Sequence, residues 1–314
     1  MLSIGHIASI VRYPVKSMGG ESLKQALLKP SGLEDDRLYA FQSSNAPPGM
    51  LRLSGKERRT MLGYRANLTE GHVVSVVTPT GETYPVDSPQ LIEYFQTHIS
   101  RTTHFQLIRS EVPQTDVRPL SLLSRQTIAQ ISSEVGRSIH ERRFRANLIL
   151  DLTTGPFAED EWIGKRICIG ESAIAQIIDR IPRCRVVTHD PVNPEFEEPF
   201  FGIMKTLDRF HQGRAGVYAK IVQPGIVFVN GDLRNSEVTS SISSTANHDS
   251  LEVMSASDDA LIIRKLVQSL EANLSELDIE LGEEAPLESP RLDSAERILQ
   301  NAIKELEALI KPEK

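Results

Sequence analysis

The chain reads as mainly β with α (α+β): an N-terminal β-rich domain, a β-barrel domain, and an appended C-terminal helical hairpin or coiled coil. Three observations carry this reading. Short runs rich in β-branched and aromatic residues recur up to about residue 230, punctuated by Pro, Gly, Ser and Asn. Helical periodicity is scarce there, and many short strands with few helices argue for a closed or partly closed barrel, because closure removes exposed strand edges. After Asn230-Gly231-Asp232 the pattern changes to a Ser-rich stretch and then to apolar residues at helical spacing.

In chain order, Ile4–Tyr13, Ser22–Leu28, Arg37–Gln42 and Val73–Thr78 are the first expected strands. Ser88-Pro89 opens a helix to about His98, with a capping hydroxyl, a first-turn proline, and Leu91, Ile92 and Phe95 on one face. His104–Ile108 returns to strand, which closes a first domain over 1–112. A second domain, 113–234, begins with the apolar run Leu120–Leu123. Ser124 then caps a helix carrying Ile128 and Ile131. Phe144–Leu152, Arg166–Ile169, Ala173–Ile178, Val186–Thr188, Val217–Ile221 and Ile226–Val229 read as strands, and Phe201–Phe210 as a helical insertion. Residues 235–257 read as a linker. Residues 258–314 carry two stripes, Ile263 to Leu281 and Leu292 to Ile310, separated by Ser289-Pro290; they suit a helical hairpin or a dimerising coiled coil.

Charge divides the same way. Residues 1–234 hold 28 Lys+Arg against 25 Asp+Glu, a net of +3, and 235–314 hold 7 against 17, a net of −10; together they give the chain's −7. A mildly basic body suits a small anionic ligand better than a nucleic-acid groove, which needs a far more basic balance. No run approaches the roughly 18 apolar residues of a membrane span, and the N-terminus does not read as a signal peptide, so a cytoplasmic protein is expected. Two cysteines, Cys168 and Cys184, are too few for a four-cysteine zinc site, an all-cysteine iron–sulfur cluster or a disulfide scaffold.

Cys184 has Arg180, Arg183 and Arg185 within four residues. Positive charge favours thiolate, the form that attacks or ligates a soft metal; the alternative is a buried thiol acting as a small hydrophobe, which is the reading for Cys168. Tyr13-Pro14-Val15-Lys16-Ser17-Met18-Gly19-Gly20 offers a cation, a hydroxyl and two glycines, either a phosphate site or a solvated turn. Arg37 follows Glu34, Asp35 and Asp36, and either pairs with one of them or points into a site. Alternation places Arg145 and Asn147 on one strand face, where a guanidinium and an amide suit a phosphate or a pterin-like heterocycle, or else form a surface Arg beside a turn Asn. His189, beside Asp190, is either structural or an acid–base group near Cys184. Gly-x-Ser-x-Gly, His-Glu-x-x-His and Gly-x-Gly-x-x-Gly motifs are absent.

Together these elements resemble the MOSC family, named for the C-terminal domain of molybdenum cofactor sulfurase and including amidoxime-reducing proteins. The resemblance rests on Tyr13–Ser17, Asp36-Arg37, Phe144–Asn147, Arg183-Cys184 with Asp190-Pro191, and Pro224-Gly225 to Gly231-Asp232, in that order. It implies two MOSC-type β domains and a molybdenum cofactor, a pterin dithiolene with a terminal phosphate. Cys184 matches the thiolate ligand to molybdenum and Asp116 an acid near the metal, both therefore catalytic. Lys16, Ser17, Arg37, Arg145, Asn147 and Arg183 match cofactor-binding positions. The implied activity is an oxidoreductase reducing N-hydroxylated or N-oxide substrates with electrons from an external electron-transfer protein. A non-redox carrier of sulfur or cofactor, and a ligand-binding or interaction module, are the alternatives. Pyridoxal phosphate is expected only in a separate sulfurase partner, nucleic acid is not a partner, and the C-terminal helices suit a homodimer. Val117-Arg118, Ala146 and Val192-Asn193-Pro194 depart from the family pattern around the expected site mouth, which leaves substrate choice open.

Overall fold

The structure is a computed structural model. It describes residues 3–43, 59–69, 72–101, 103–111, 113–114, 119–191 and 198–236. Asp116, most of the Ser-rich stretch and both C-terminal stripes lie outside these. The chain divides into two units, one of 1–45 with 52–238 and a second of 46–51 with 239–314; every described residue belongs to the first.

The first half carries β1 (Ser3–Arg12), β2 (Glu21–Leu23), β3 (Gln25–Lys29), β4 (Gly32–Leu33), β5 (Tyr39–Ser43), β6 (Arg65–Leu68), β7 (Val74–Val77), β8 (Thr83–Pro85), α1 (Pro89–His98) and β9 (Phe105–Arg109). The second carries β10 (Leu120–Ser124), α2 (Arg125–Glu134), β11 (Leu148–Leu152), β12 (Arg166–Ile169), β13 (Ala173–Pro182), α3 (Gly202–His211), β14 (Arg214–Gln223), β15 (Gly225–Phe228) and β16 (Asp232–Asn235). Short 3₁₀ turns occupy Arg59–Gly63, Glu141–Phe144, Ala158–Trp162 and Arg185–Thr188.

Seven strands close a barrel in the order β11-β10-β14-β13-β12-β16-β1, with β1 pairing antiparallel to β11 to complete the ring. β2 continues the sheet beside β1. The expected barrel is therefore present, but β1, from the first of the two expected domains, is one of its staves. A register shift between Ile7 and Ser9 interrupts the alternation of β1, so that Ile7 and Ile10, both fully buried, join the same barrel core with Leu122, Leu148, Leu150, Ile167, Ala175, Val217 and Leu233. A second core packs α1 through Leu91 and Phe95 against Phe41, Tyr64, Val74, Val76 and Phe105. A third packs α2 and α3 through Ile128, Ile131, Ile203 and Leu207 against Phe144, Ile149 and Val187. Among the described residues no helix is long and apolar enough to cross a membrane.

Both expected helix starts are built as read. The Ser88 side chain accepts from the Leu91 N–H at 3.2 Å with Pro89 in the first turn, and Ser124 accepts from the Thr127 N–H at 3.0 Å. The second cap is reinforced by Glu159, fully buried, which accepts from the Ser124 N–H at 3.0 Å and the Thr127 hydroxyl at 2.9 Å. A carboxylate at a helix N-terminus meets both the free N–H groups and the positive end of the helix dipole.

Two expectations are corrected. Val186–Thr188, read as strand from its β-branched residues, lies in a 3₁₀ turn closed by Val187 N–H to Cys184 O at 3.1 Å and His189 N–H to Val186 O at 3.2 Å. Local hydrogen bonding has overridden β propensity. Phe144–Asn147 is not strand either: Phe144 ends a 3₁₀ turn, Arg145 has a left-handed φ of 53°, and β11 starts at Leu148. The alternation that put Arg145 and Asn147 on one face does not apply there.

Candidate functional site

A cavity of about 250 Å³ opens where the turn after β1, the turn at Glu141–Phe144 and the turn at Arg185–Thr188 converge. Tyr13, Gly19, Gly20, Leu62, Arg65 and His140 line one part of it. Arg142, Arg143, Arg145, Val186, His189 and Pro191 line the rest. Among the described residues, four guanidiniums and two imidazoles thus line this space and no carboxylate does. A more open groove of about 660 Å³ beside α2 mixes Arg125 with Glu141 and holds none of the expected site residues.

The turn after β1 is pinned from beneath. The Tyr13 N–H donates to the carboxylate of Asp36 at 2.8 Å, and the Arg37 N–H donates to the Tyr13 carbonyl at 2.7 Å. Asp36 is fully buried and pairs with the Arg37 guanidinium, whose Nη2 donates to the Arg145 carbonyl at 3.1 Å. Arg37 and Arg145 both lie over the Tyr13 ring, at 4.6 and 4.5 Å from its centroid. Burial raises the Tyr13 pKa above its ordinary value against the pull of Arg145, Arg142 and Arg37, so the phenol keeps its proton; its buried Oη has no hydrogen-bond partner among the described residues. Lys16 is half-buried and Ser17 buried in the same turn, Ser17 with a φ of 68°. Gly20 must be glycine, because a Cβ would sit 2.2 Å from the Arg12 carbonyl oxygen and 2.7 Å from the Tyr13 ring.

The second turn supplies most of the charge. His140 accepts from the Arg142 N–H at 3.1 Å through Nδ1, capping the turn. Arg142 donates to the Gly20 carbonyl at 3.1 Å and the Ser22 hydroxyl at 2.6 Å, and Arg145 to the Met18 carbonyl at 2.7 Å. Arg143, buried, spans to the third turn through the Thr188 carbonyl and Asp190, both at 2.9 Å. Asn147 is also buried, but its amide is committed to structure: Oδ1 accepts from the Ser121 hydroxyl at 2.8 Å and N–H at 3.3 Å, and Nδ2 donates to the Val11 carbonyl at 3.3 Å.

In the third turn, Cys184 is a free, half-buried cysteine in extended backbone at the entry to Arg185–Thr188. It does not itself line the cavity; Val186 and His189 of its turn do. The neighbouring Arg183 donates through Nε to the Ala215 carbonyl at 2.9 Å and through Nη1 to the Phe144 carbonyl at 2.7 Å, and its buried Nη2 has no partner among the described residues. Burial pulls the Arg183 pKa down to about 10, so it is still cationic at neutral pH. His189 is 2% exposed, and neither ring nitrogen has a partner among the described residues. Burial, then Arg185, Arg59 and Arg143, hold its pKa below the ordinary histidine value, which makes it neutral at pH 7.

Of the residues expected to bind a cofactor, Arg145 lines the cavity, and Arg37 braces it through Tyr13 and Arg145. Asn147 holds the frame, and Asp116 lies outside the described residues. Arg65, Arg142, Arg143 and His140 were not singled out from sequence; the available signal was three arginines within Arg142–Arg145, just before a strand. No group of three or more His, Cys, Asp or Glu suited to a metal ion occurs among the described residues.

Comparison with known proteins falls on the same segments. The model of the MOSC N-terminal beta barrel domain matches residues 4–116 and that of the MOSC domain matches 109–234. The chain belongs to the MOSC family. Among solved structures, this MOSC chain is similar to the YuaD protein of Bacillus subtilis at 14% identity and a TM-score of 0.40, covering 73% of this chain and 93% of that one. It is also similar to YiiM of Escherichia coli at 12% identity and 0.35, covering 77% and 71%, and to YiiM of Geobacillus stearothermophilus at 14% and 0.31, covering 60% and 78%. No curated protein matches. At such low identity the assignment rests on the two family models.

The residues present fit an anionic, heteroatom-rich group. Buried donors without partners among the described residues (Tyr13 Oη, Arg183 Nη2, and a nitrogen of His189) are costly unless a ligand or water meets them. The cationic lining supplies the opposite charge for a phosphate-bearing cofactor.

Proposed function

We propose that this MOSC protein holds a molybdenum cofactor and reduces N-hydroxylated or N-oxide substrates, drawing electrons from an external electron-transfer protein. The observation that supports this is the arginine-lined cavity, bordered on one side by the turn that Cys184 opens, with buried polar groups that have no partner among the described residues. Cys184 would supply the protein thiolate to molybdenum, with Asp116 as the acid near it. Lys16, Ser17, Arg37, Arg145 and Arg183 would hold the anionic pterin end. When bound, the cofactor supplies two-electron oxygen-atom chemistry.

The protein's own part is positioning. Arg37 and Arg145 are tied to each other and to the Tyr13 ring, so their charges are fixed before any ligand arrives. Arg143 locks the Cys184 turn to the turn that carries Arg145. The amide of Asn147 acts one layer further out, holding β1 and β10 in place under that loop.

The test is metal content and turnover of the full chain produced with ample molybdate. Stoichiometric molybdenum that is lost in Cys184→Ala, with N-hydroxy reduction driven by an artificial donor, is the expected result. A loaded protein inert towards every N-hydroxy substrate would replace the redox reading with that of a cofactor or sulfur carrier. A metal-free protein would overturn both.

A further inference from the structure

His189 lines this cavity without an assigned role in holding the cofactor, and its burial is hard to explain without a ligand. A neutral imidazole carries one N–H and one lone pair, and burying both without partners is unfavourable for each group. His140, the other imidazole in the lining, has its Nδ1 already occupied by the Arg142 N–H. Among the described residues, His189 has no such structural bond from its ring.

The charges acting on His189 are cationic, and Tyr13 and His140 share its cavity lining. Arg185 lies on its own turn, Arg59 on the turn at Arg59–Gly63 and Arg143 on the turn at Glu141–Phe144, with Arg143 partly offset by Asp190. Arg65, Arg142 and Arg145 share the cavity wall with it. Burial first, and then Arg185, Arg59 and Arg143, keep a proton off the imidazole. An oxyanion entering would reverse that balance, offering a negative charge to the imidazolium and an acceptor to its N–H.

We propose that this cavity binds an oxyanion, and that His189 is its proton-linked contact, becoming imidazolium as the anion enters. The net event is transfer of one solvent proton to the unprotonated ring nitrogen, with no covalent bond to the ligand. The inference takes its site from the cofactor reading, but its chemistry is independent of molybdenum. Two sources share the ligand chemistry: the cofactor's phosphate and an anionic substrate bearing a carboxylate or phosphate.

Sulfate is the probe, because its charge is constant between pH 5.5 and 7.5. Calorimetry of the full chain at fixed ionic strength, in two buffers of different ionisation enthalpy, reads affinity and proton uptake together. The expected result is uptake of a fraction of a proton, and an affinity that rises by up to about tenfold per pH unit as pH falls. In His189→Gln both should vanish while sulfate still binds; in Arg65→Gln binding should weaken at every pH with the dependence kept. The proton uptake of the unaltered chain needs no variant to fold. No sulfate binding, no proton uptake, or a dependence that survives in His189→Gln and disappears in His140→Gln would overturn the proposal. Running the titration on cofactor-loaded and cofactor-free protein separates the sources: competition assigns the oxyanion to the cofactor, and simultaneous binding to a substrate. A chain that binds sulfate with proton uptake yet never loads molybdenum would sink the redox reading and leave this one standing.

Discussion

The side chain of Asn147 bridges Ser121 at the start of β10 and Val11 near the end of β1, two residues after the left-handed Arg145 that reaches the cavity. Losing it takes the acceptor from the Ser121 hydroxyl proton and N–H and the amide donor from the Val11 carbonyl. Asn147→Ala should therefore cost about 1–3 kcal/mol of stability and weaken sulfate binding as the loop shifts. Arg145→Gln should weaken sulfate binding at least as much with a smaller change in melting temperature. Thermal unfolding beside sulfate titration of both variants checks this, and a larger melting loss in Arg145→Gln would overturn the division of roles. From sequence, Arg145 and Asn147 stood out as a pair because a guanidinium and an amide two residues apart suit a ligand. Their separate tasks were not legible, because they depend on a positive φ and on partners more than 100 residues away in the chain.

At the scale of elements, what was legible was local. Ser88-Pro89 and Ser124 announce helices because capping and first-turn chemistry reside in adjacent residues. The turn at Arg185–Thr188 was misread because Val186, Val187 and Thr188 have strand chemistry, while the Thr188 hydroxyl donates back to the Arg185 carbonyl at 2.7 Å. The turn at Ala158–Trp162 carries a prediction of its own. Asp160 meets Arg180 of β13 at 2.8 Å, yet burial outweighs this attraction and pushes its pKa up to about 6, with Oδ1 buried and without a hydrogen-bond partner among the described residues. The folded chain then holds this proton more tightly than the unfolded chain, whose carboxyl titrates near 3.8. Stability from this group is full below about pH 4, falls as pH rises, and is lost above about 6. Asp160→Asn should flatten that part of the stability curve, so its melting temperature relative to the unaltered chain should be more favourable at pH 7 than at pH 4.5. A difference independent of pH, or of opposite sign, would show that Arg180 and not burial governs Asp160.

For the whole molecule, the decisive contact is the least local one. β1 and β11 pair from Gly5–Leu152 to Ile10–Leu148, across more than 130 residues, and β1 also pairs β16. Composition placed a boundary near residue 112, and the two family models meet at 109–116, because sequence patterns report neighbours along the chain and not ring closure. The barrel order makes that boundary a poor place to cut. A fragment of residues 109–236 keeps six of the seven staves, but leaves β11 and β16 as open edges and removes Ile7 and Ile10 from the core. It also takes β3 from β15, whose Ile226 and Phe228 are already half-exposed. Open edges with an uncovered core favour association over folding. The fragment 109–236 should therefore aggregate or melt without a cooperative transition, whereas 1–236 should melt cooperatively by circular dichroism. A cooperative transition in 109–236 alone would mean that β1 decorates the barrel without closing it, and the cavity, whose floor is the turn leaving β1, would then have to assemble on a barrel already formed.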